Sequence, residues 1–140
     1  MADSDSPPDM EPAIRMVAMP ADTNPSGDIF GGWIMSIMDM AGGNTAYQRA
    51  GGRVATVGVK EIAFRHPVRV GDVVSCYAEV VRVGRTSLDT RVSLWVQHDR
   101  QGKPVKVTEG VYSFVALDDE GRPRPVDQEQ AGIARAAGRD

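Results

Sequence analysis

The chain has one cysteine, two histidines, no surplus of positive charge and no long apolar run among its 140 residues. Each shortage removes a class of function. The single cysteine, Cys76, cannot close an internal disulfide, which fits a reducing compartment and a cytoplasmic protein. A net charge of −3 offers no general attraction to nucleic acid. No apolar stretch approaches the roughly 20 residues that span a bilayer, so no membrane insertion is expected. His66 precedes Pro67 and His98 faces a turn, and no spacing of His, Cys, Asp or Glu resembles a metal site. A Gly-x-Ser-x-Gly elbow is missing, which argues against a serine triad. No Gly-Lys-Ser/Thr follows Gly31-Gly32, which argues against a phosphate loop. The remaining composition, 41% hydrophobic and 25% charged, suits one domain that buries a real core without disulfide or metal staples.

Three stretches divide the chain. Residues 1–13 are acidic and proline-rich, lack the basic start and apolar core of a signal peptide, and read as a disordered lead. Residues 127–140 are rich in Ala, Gly, Gln and Arg and read as a flexible tail, with room for a short amphipathic helix. Residues 14–126 form the folded domain. Ile14–Met19 reads as a first strand ended by Pro20. Over Gly32–Arg49, the residues Ile34, Ile37, Met38, Ala41, Thr45 and Ala46 recur at helical spacing, and Gly51-Gly52 ends the run. Everything after it reads as extended: Val54–Phe64, Asp72–Val83, Ser87–His98 and Val105–Leu117. In the third of these, Leu88, Thr90, Val92, Leu94 and Val96 point one way, and Asp89, Arg91, Ser93, Trp95 and Gln97 the other. These strands exceed the usual five or six residues. The pattern predicts an α+β hotdog fold, in which a curved antiparallel sheet of about five strands wraps one long helix. One helix leaves a flank and a sheet edge uncovered, so at least a dimer is expected.

The segment 24–43, NPSGDIFGGWIMSIMDMAGG, carries the most chemical information. A turn-forming run, Asn24 to Asp28, leads to Gly31 and Gly32 at the helix start. Asp39 is the one carboxylate in a strongly apolar helix, and such a charge is costly unless paired or used. Free amides at a helix start near an acid or base suit acyl transfer. A buried helix-to-helix hydrogen bond or a salt bridge for Asp39 is the competing reading. The amide of Asn24 is suited to orient a water or a carbonyl, or it is a plain turn residue; Asp28 is a candidate helix cap. Met35, Met38 and Met40 read as core filler or as lining for a variable acyl chain. Gly42 and Gly43 weaken the helix by about 1 kcal/mol each, and close approach of another chain or a ligand would explain them. The turn of Arg85, Thr86 and Ser87 offers a guanidinium and two hydroxyls to a phosphate. Arg53 and Lys60 are further cation candidates, and Cys76 reads as core.

The stretch Met19 to Asn24, then GDIFGGWIMSIMDMAGG, VATVGVKEIAFRHPVRVGDVV and VGRTSLDTRVSLWV, resembles the YciA-like branch of the acyl-CoA thioester hydrolases over residues 14–126. The resemblance implies a hotdog thioesterase domain and hydrolysis of acyl-CoA to free acid and CoA, with no metal or organic cofactor. It implies a homodimer as the catalytic unit and a hexamer built as a trimer of dimers. The family's catalytic acid falls on Asp39. Its loop asparagine falls on Asn24, supplied across the dimer interface, and its carbonyl-polarising amides fall on Gly31 and Gly32. Arg85, Thr86 and Ser87 resemble the part that meets the CoA nucleotide. A hotdog dehydratase would want a histidine near the helix start, and residues 20–45 contain none. A non-catalytic acyl-CoA-binding hotdog protein is the alternative.

Overall fold

The computed structural model describes residues 6–99 and 101–127. A short strand β1, Ile14–Val17, is followed by a turn of 3-10 helix at Pro20–Asp22 and by the helix α1, Gly31–Ala50. Four long strands complete the chain: β2 Val54–Phe64, β3 Val73–Val83, β4 Ser87–Gln97 and β5 Val105–Ala116. They form one antiparallel sheet in the order β1-β3-β4-β5-β2. The hotdog arrangement expected from the long strands and the lone helix is therefore the fold. The first strand stops at Val17 rather than Met19. Its pairing reaches back to Ala13, whose N–H donates to the carbonyl of Cys76. The tail from 128 onward lies outside the described residues.

The helix covers the inner face because its apolar stripe meets the inward rungs of the sheet. Ile34, Ile37, Met38, Ala41, Ala46 and Ala50 are buried with Leu88, Val92, Leu94, Tyr112 and Phe114. Gly51 ends α1 in the left-handed conformation (φ 71°), donating to the carbonyl of Tyr47. Beyond it, Arg124 donates from Nη2 to the carbonyl of Ala50 and from Nε to that of Leu117. A cation at the negative end of the helix dipole is favourable there. Of the three methionines, Met38 is core, Met35 half-buried and Met40 exposed.

On the outer row of β4, Asp89, Ser93 and Trp95 are buried along with the inner row. Lys106 Nζ lies over the Trp95 ring at 5.5 Å, while Arg82 Nε and Ser113 Oγ donate to Asp89 at 2.8 and 2.7 Å. The Arg82 hydrogen bond, opposed by burial and helped by Ser113, holds the Asp89 carboxyl below its ordinary range. Gly42 needs no second chain or ligand to explain it. A Cβ at that position would lie 2.8 Å from Thr90 Oγ1 and 3.1 Å from Val92 Cγ2, so the glycine lets the helix rest on its own sheet. A Cβ at Gly43 would meet only the Phe114 ring at 3.6 Å, an ordinary contact. Gly42→Ala is therefore expected to destabilise, because overpacking costs about 1–3 kcal/mol against a helix-propensity gain of about 1. Gly43→Ala should hold or raise stability. Urea unfolding at matched protein concentration separates the two, and equal shifts would count against this account.

β2 is an edge strand with two register breaks, at Thr56/Gly58 and Lys60/Ala63. The first bulges out Val57, so the residues facing the core switch from Val54 and Thr56 to Val59. At the second, Glu61 adopts a left-handed conformation (φ 61°) and two residues face Gly110, where a Cβ would meet that of Ile62 at 3.2 Å. Phe30, Met40, Tyr47, Val57, Val59 and Phe64 stay exposed along α1 and this edge. Exposed apolar residues on a helix and an open edge strand are what a second chain would cover.

Candidate active site

Asp39 sits in the middle of α1 and is half-buried. Its Oδ1 accepts a hydrogen bond from Thr56 Oγ1 at 2.6 Å. Thr56 is inward-facing on β2, opposite Phe114. An open hollow of about 470 Å³ lies beside the carboxylate, lined by Gly43, Asn44, Tyr47, Val54, Thr56 and Phe114. The second carboxylate oxygen has no bonded partner among the described residues. The aspartate is thus oriented by one short hydrogen bond and open on its other side, a suitable state for a base.

Gly31 and Gly32 are the first two residues of the helix, and both are exposed. The N-cap is Phe30, with no side-chain cap. Asp28, expected as the cap, does not act as one; its N–H donates to Asn24 Oδ1 at 3.1 Å and its carbonyl accepts from Asn24 N–H at 2.7 Å. Asn24 closes its own loop, also accepting from Ser26 N–H at 2.9 Å. This is turn chemistry in which the oxygen is engaged, while Nδ2 has no partner among the described residues. Ile29 is buried and its N–H donates to the carbonyl of Val68, which pins the loop to the body of the fold.

Within one chain these parts do not meet at one point. Gly31 and Gly32 precede Asp39 by eight and seven residues, about 10–12 Å along the axis at 1.5 Å per residue. A reacting carbon needs both groups within about 3 Å. Asn24 does not line the hollow beside Asp39 either.

A model of the thioesterase superfamily matches residues 26–103, which hold the Asn24 loop's end, the whole helix and β2 to β4. The acyl-CoA thioester hydrolase YciA of Salmonella typhimurium is 46% identical over 129 residues, 90% of this chain and 97% of the relative. The chain belongs to the acyl-CoA thioester hydrolases of the thioesterase superfamily. Two solved structures agree in fold. A hexameric thioesterase from Yersinia pestis aligns with TM-score 0.80 and 47% identity, covering 86% of this chain and 98% of its own. A hexameric hotdog fold thioesterase of Campylobacter jejuni aligns with TM-score 0.81 and 40% identity, covering 89% and 96%.

The remaining candidates of this thioesterase fall into two places. The turn bearing Arg85, Thr86 and Ser87 lies beside the start of β2. Consecutive N–H groups of Ala116 and Leu117 donate to the carbonyls of Thr86 and Arg53, and Val126 N–H donates to that of Arg85. Arg85 and Arg53 therefore flank the end of β5, both exposed and without side-chain partners among the described residues. Ser87 Oγ accepts from Arg82 at 3.1 Å, so part of its capacity is taken. Lys60 is elsewhere: it pairs with Val111 on β5 and shares the outer face with Asp89, whose carboxyl its charge helps to lower. The sheet separates it from the hollow. Met35 does not line the hollow; its carbonyl accepts from Tyr112 Oη at 3.0 Å.

Cys76 is buried and burial pushes its thiol up to about 12, so it packs as expected and does not act as a nucleophile. His98 Nδ1 bonds Asp72 at 2.7 Å and its ring lies 5.0 Å from that of His66, at the end of the sheet that holds the 69–72 turn. Among the described residues no three His, Cys, Asp or Glu side chains are placed to hold a metal, and no helix is long and apolar enough to cross a membrane. Thr56 was not legible in the sequence. Its only signal is a hydroxyl inside an otherwise apolar strand, VATVGV.

Proposed function

We propose that the protein hydrolyses acyl-CoA thioesters to carboxylic acid and CoA in a site shared by two chains. The observation that carries this is the separation along one helix of Asp39 from the amides of Gly31 and Gly32. The helix start and the Asn24 loop of one chain would act with Asp39 and Thr56 of its partner. The exposed apolar residues along α1 and β2 support such a dimer, and the hexameric relatives support a hexamer, which a trimer of these dimers would build. The thioester carbonyl would rest against the Gly31 and Gly32 amides, where the developing oxyanion is stabilised by N–H dipoles and by the positive end of the helix. Water attacks the carbonyl carbon while the open carboxylate oxygen of Asp39 takes its proton. The Asn24 amide donates to the water or to the carbonyl. The tetrahedral intermediate then expels the CoA thiolate, a good leaving group, which takes up the proton. As written, no step draws on a metal or an organic cofactor. Direct attack by Asp39 through a mixed anhydride is the other balanced route. After a single turnover in ¹⁸O-water, label in the aspartate marks an anhydride opened at the aspartyl carbonyl, and hydroxylamine trapping of the acyl group on Asp39 marks an anhydride opened at the acyl carbon; neither signal is expected of the general-base route.

The reading is tested by thiol release from a panel of acyl-CoAs of increasing chain length. No release from any of them would leave the non-catalytic binding reading standing. Arg85, with Arg53 across the end of β5, is proposed to hold the nucleotide phosphates, helped by Thr86 and Ser87. Loss of a charge-assisted contact costs about 1.5–3 kcal/mol, or roughly 10- to 150-fold in affinity. Arg85→Ala should therefore raise KM for acyl-CoA with little change in kcat, and leave a truncated thioester lacking the nucleotide unaffected. An unmoved KM would reassign the contact to Arg53. The lone buried cysteine and a CoA substrate support the cytoplasm as the compartment.

A further inference from the structure

We propose that Tyr112 is a positioning residue for Asp39, acting through the main chain of the helix; the inference rests on Asp39 being the base. Tyr112 stands on the inner face of β5 and is 1% exposed. Its hydroxyl donates to the carbonyl of Met35 at 3.0 Å. In an α-helix that same carbonyl accepts the N–H of the residue four positions on, which is Asp39. One oxygen therefore receives both the peptide N–H of Asp39 and a phenol from the sheet.

The second fastening is on the neighbouring strand. Thr56 on β2 donates to the Asp39 carboxylate at 2.6 Å, and its cross-strand partner Phe114 is two residues from Tyr112 on β5. The helical turn that carries Asp39 is thus tied by its backbone to β5 and by its side chain to β2. Two ties from adjacent strands fix the height of that turn and its rotation about the helix axis more closely than one tie does. Apart from the Arg124 hydrogen bond at the C-terminal end, the buried helix face meets the sheet through apolar contacts, with Gly42 seated on Thr90 and Val92, and these resist sliding less than a hydrogen bond of fixed geometry does. Thr90 Oγ1 in turn lies 3.4 Å from the carbonyl of Tyr112, which links the residue to the next strand. Burial, with the Asp39 charge adding to it, pushes the phenol above its ordinary range, so it remains a donor at every working pH.

The test is Tyr112→Phe, which removes one oxygen and keeps the ring, made in the wild type and in Asp39→Asn. A misplacement of about 1 Å can cost on the order of 100-fold in rate. The expected result is a kcat lower by about 10-fold or more with KM within about 2-fold, and no further loss in the Asp39→Asn background. An unchanged kcat, or the same fractional loss in both backgrounds, overturns the proposal, because general packing would act whether or not the base is present. If Tyr112→Phe does not fold, 3-fluorotyrosine at position 112 keeps shape and hydroxyl while altering donor strength. Turnover should then change only where Asp39 is intact, and a flat response overturns the proposal. Failure of the underlying reading shows separately, as activity retained by Asp39→Asn alone.

Discussion

Asp39→Asn is expected to lower thioester hydrolysis at least about 100-fold, the scale of a missing general base. The fold should survive. Asn is close to isosteric, the Thr56 hydrogen bond to Oδ1 at 2.6 Å can be kept by the amide oxygen, and the side chain is half-buried at an open hollow rather than sealed in the core. The loss should therefore appear in kcat, with circular dichroism, melting temperature and oligomer mass close to wild type. Thr56→Val removes the orienting donor and should give a smaller loss in the same parameter. Near-normal turnover by Asp39→Asn would remove the residue from the chemistry and leave it a helix-to-strand hydrogen bond. That is the structural role its contact with Thr56 would also satisfy.

Activity should return when two dead proteins exchange subunits. Asn24→Ala lacks the loop amide and Asp39→Asn lacks the base, so each homodimer carries two broken sites. With the site shared as proposed, a mixed dimer would carry one site with both residues intact and one with neither. At equal mixing half of the dimers are mixed, and each has one of two sites whole, so recovery approaching about a quarter of wild type is the ceiling. The geometry motivates the experiment: eight residues of α-helix, about 12 Å, separate Gly31 from Asp39 in one chain. Exchange is verified by native mass spectrometry with one partner isotopically labelled. If mixed dimers form and no activity returns, the two residues serve the same chain's site.

Most of the frame was legible because its signals are local. The stripe of Ile34, Ile37, Met38, Ala41 and Ala46 is a 3.6-residue period, and it placed the helix to within one residue at each end. Gly51 was readable as its stop because a left-handed C-cap is where glycine is favoured. The long strands announced themselves by length and β-branched content, and from them the wrapped helix followed. Asp39 stood out because a charge among Trp, Ile and Met demands a reason. The alternation in β4 was legible as two opposite rows but not as their burial, since Asp89, Ser93 and Trp95 of the outer row are covered by Arg82, Ser113 and Lys106 from other positions in the sheet.

What the sequence determined by itself is therefore the order of elements, the face each apolar residue seeks, and the acid that stands out of place. These depend on residues within a few positions of one another. The tertiary structure decided everything that depends on distance between strands and helix. It brought Thr56 to Asp39 across 17 positions and Tyr112 to Met35 across 77. It gave Gly42 to the sheet and left Gly43 at the hollow, though the two are adjacent and chemically identical. It kept Arg53 beside the Arg85 turn, and the bulge at Val57 shifts the parity of β2 so that Lys60 joins Asp89 on the outer face, away from the hollow. No local pattern encodes these pairings, because they follow from strand register and from the angle at which one helix crosses a curved sheet.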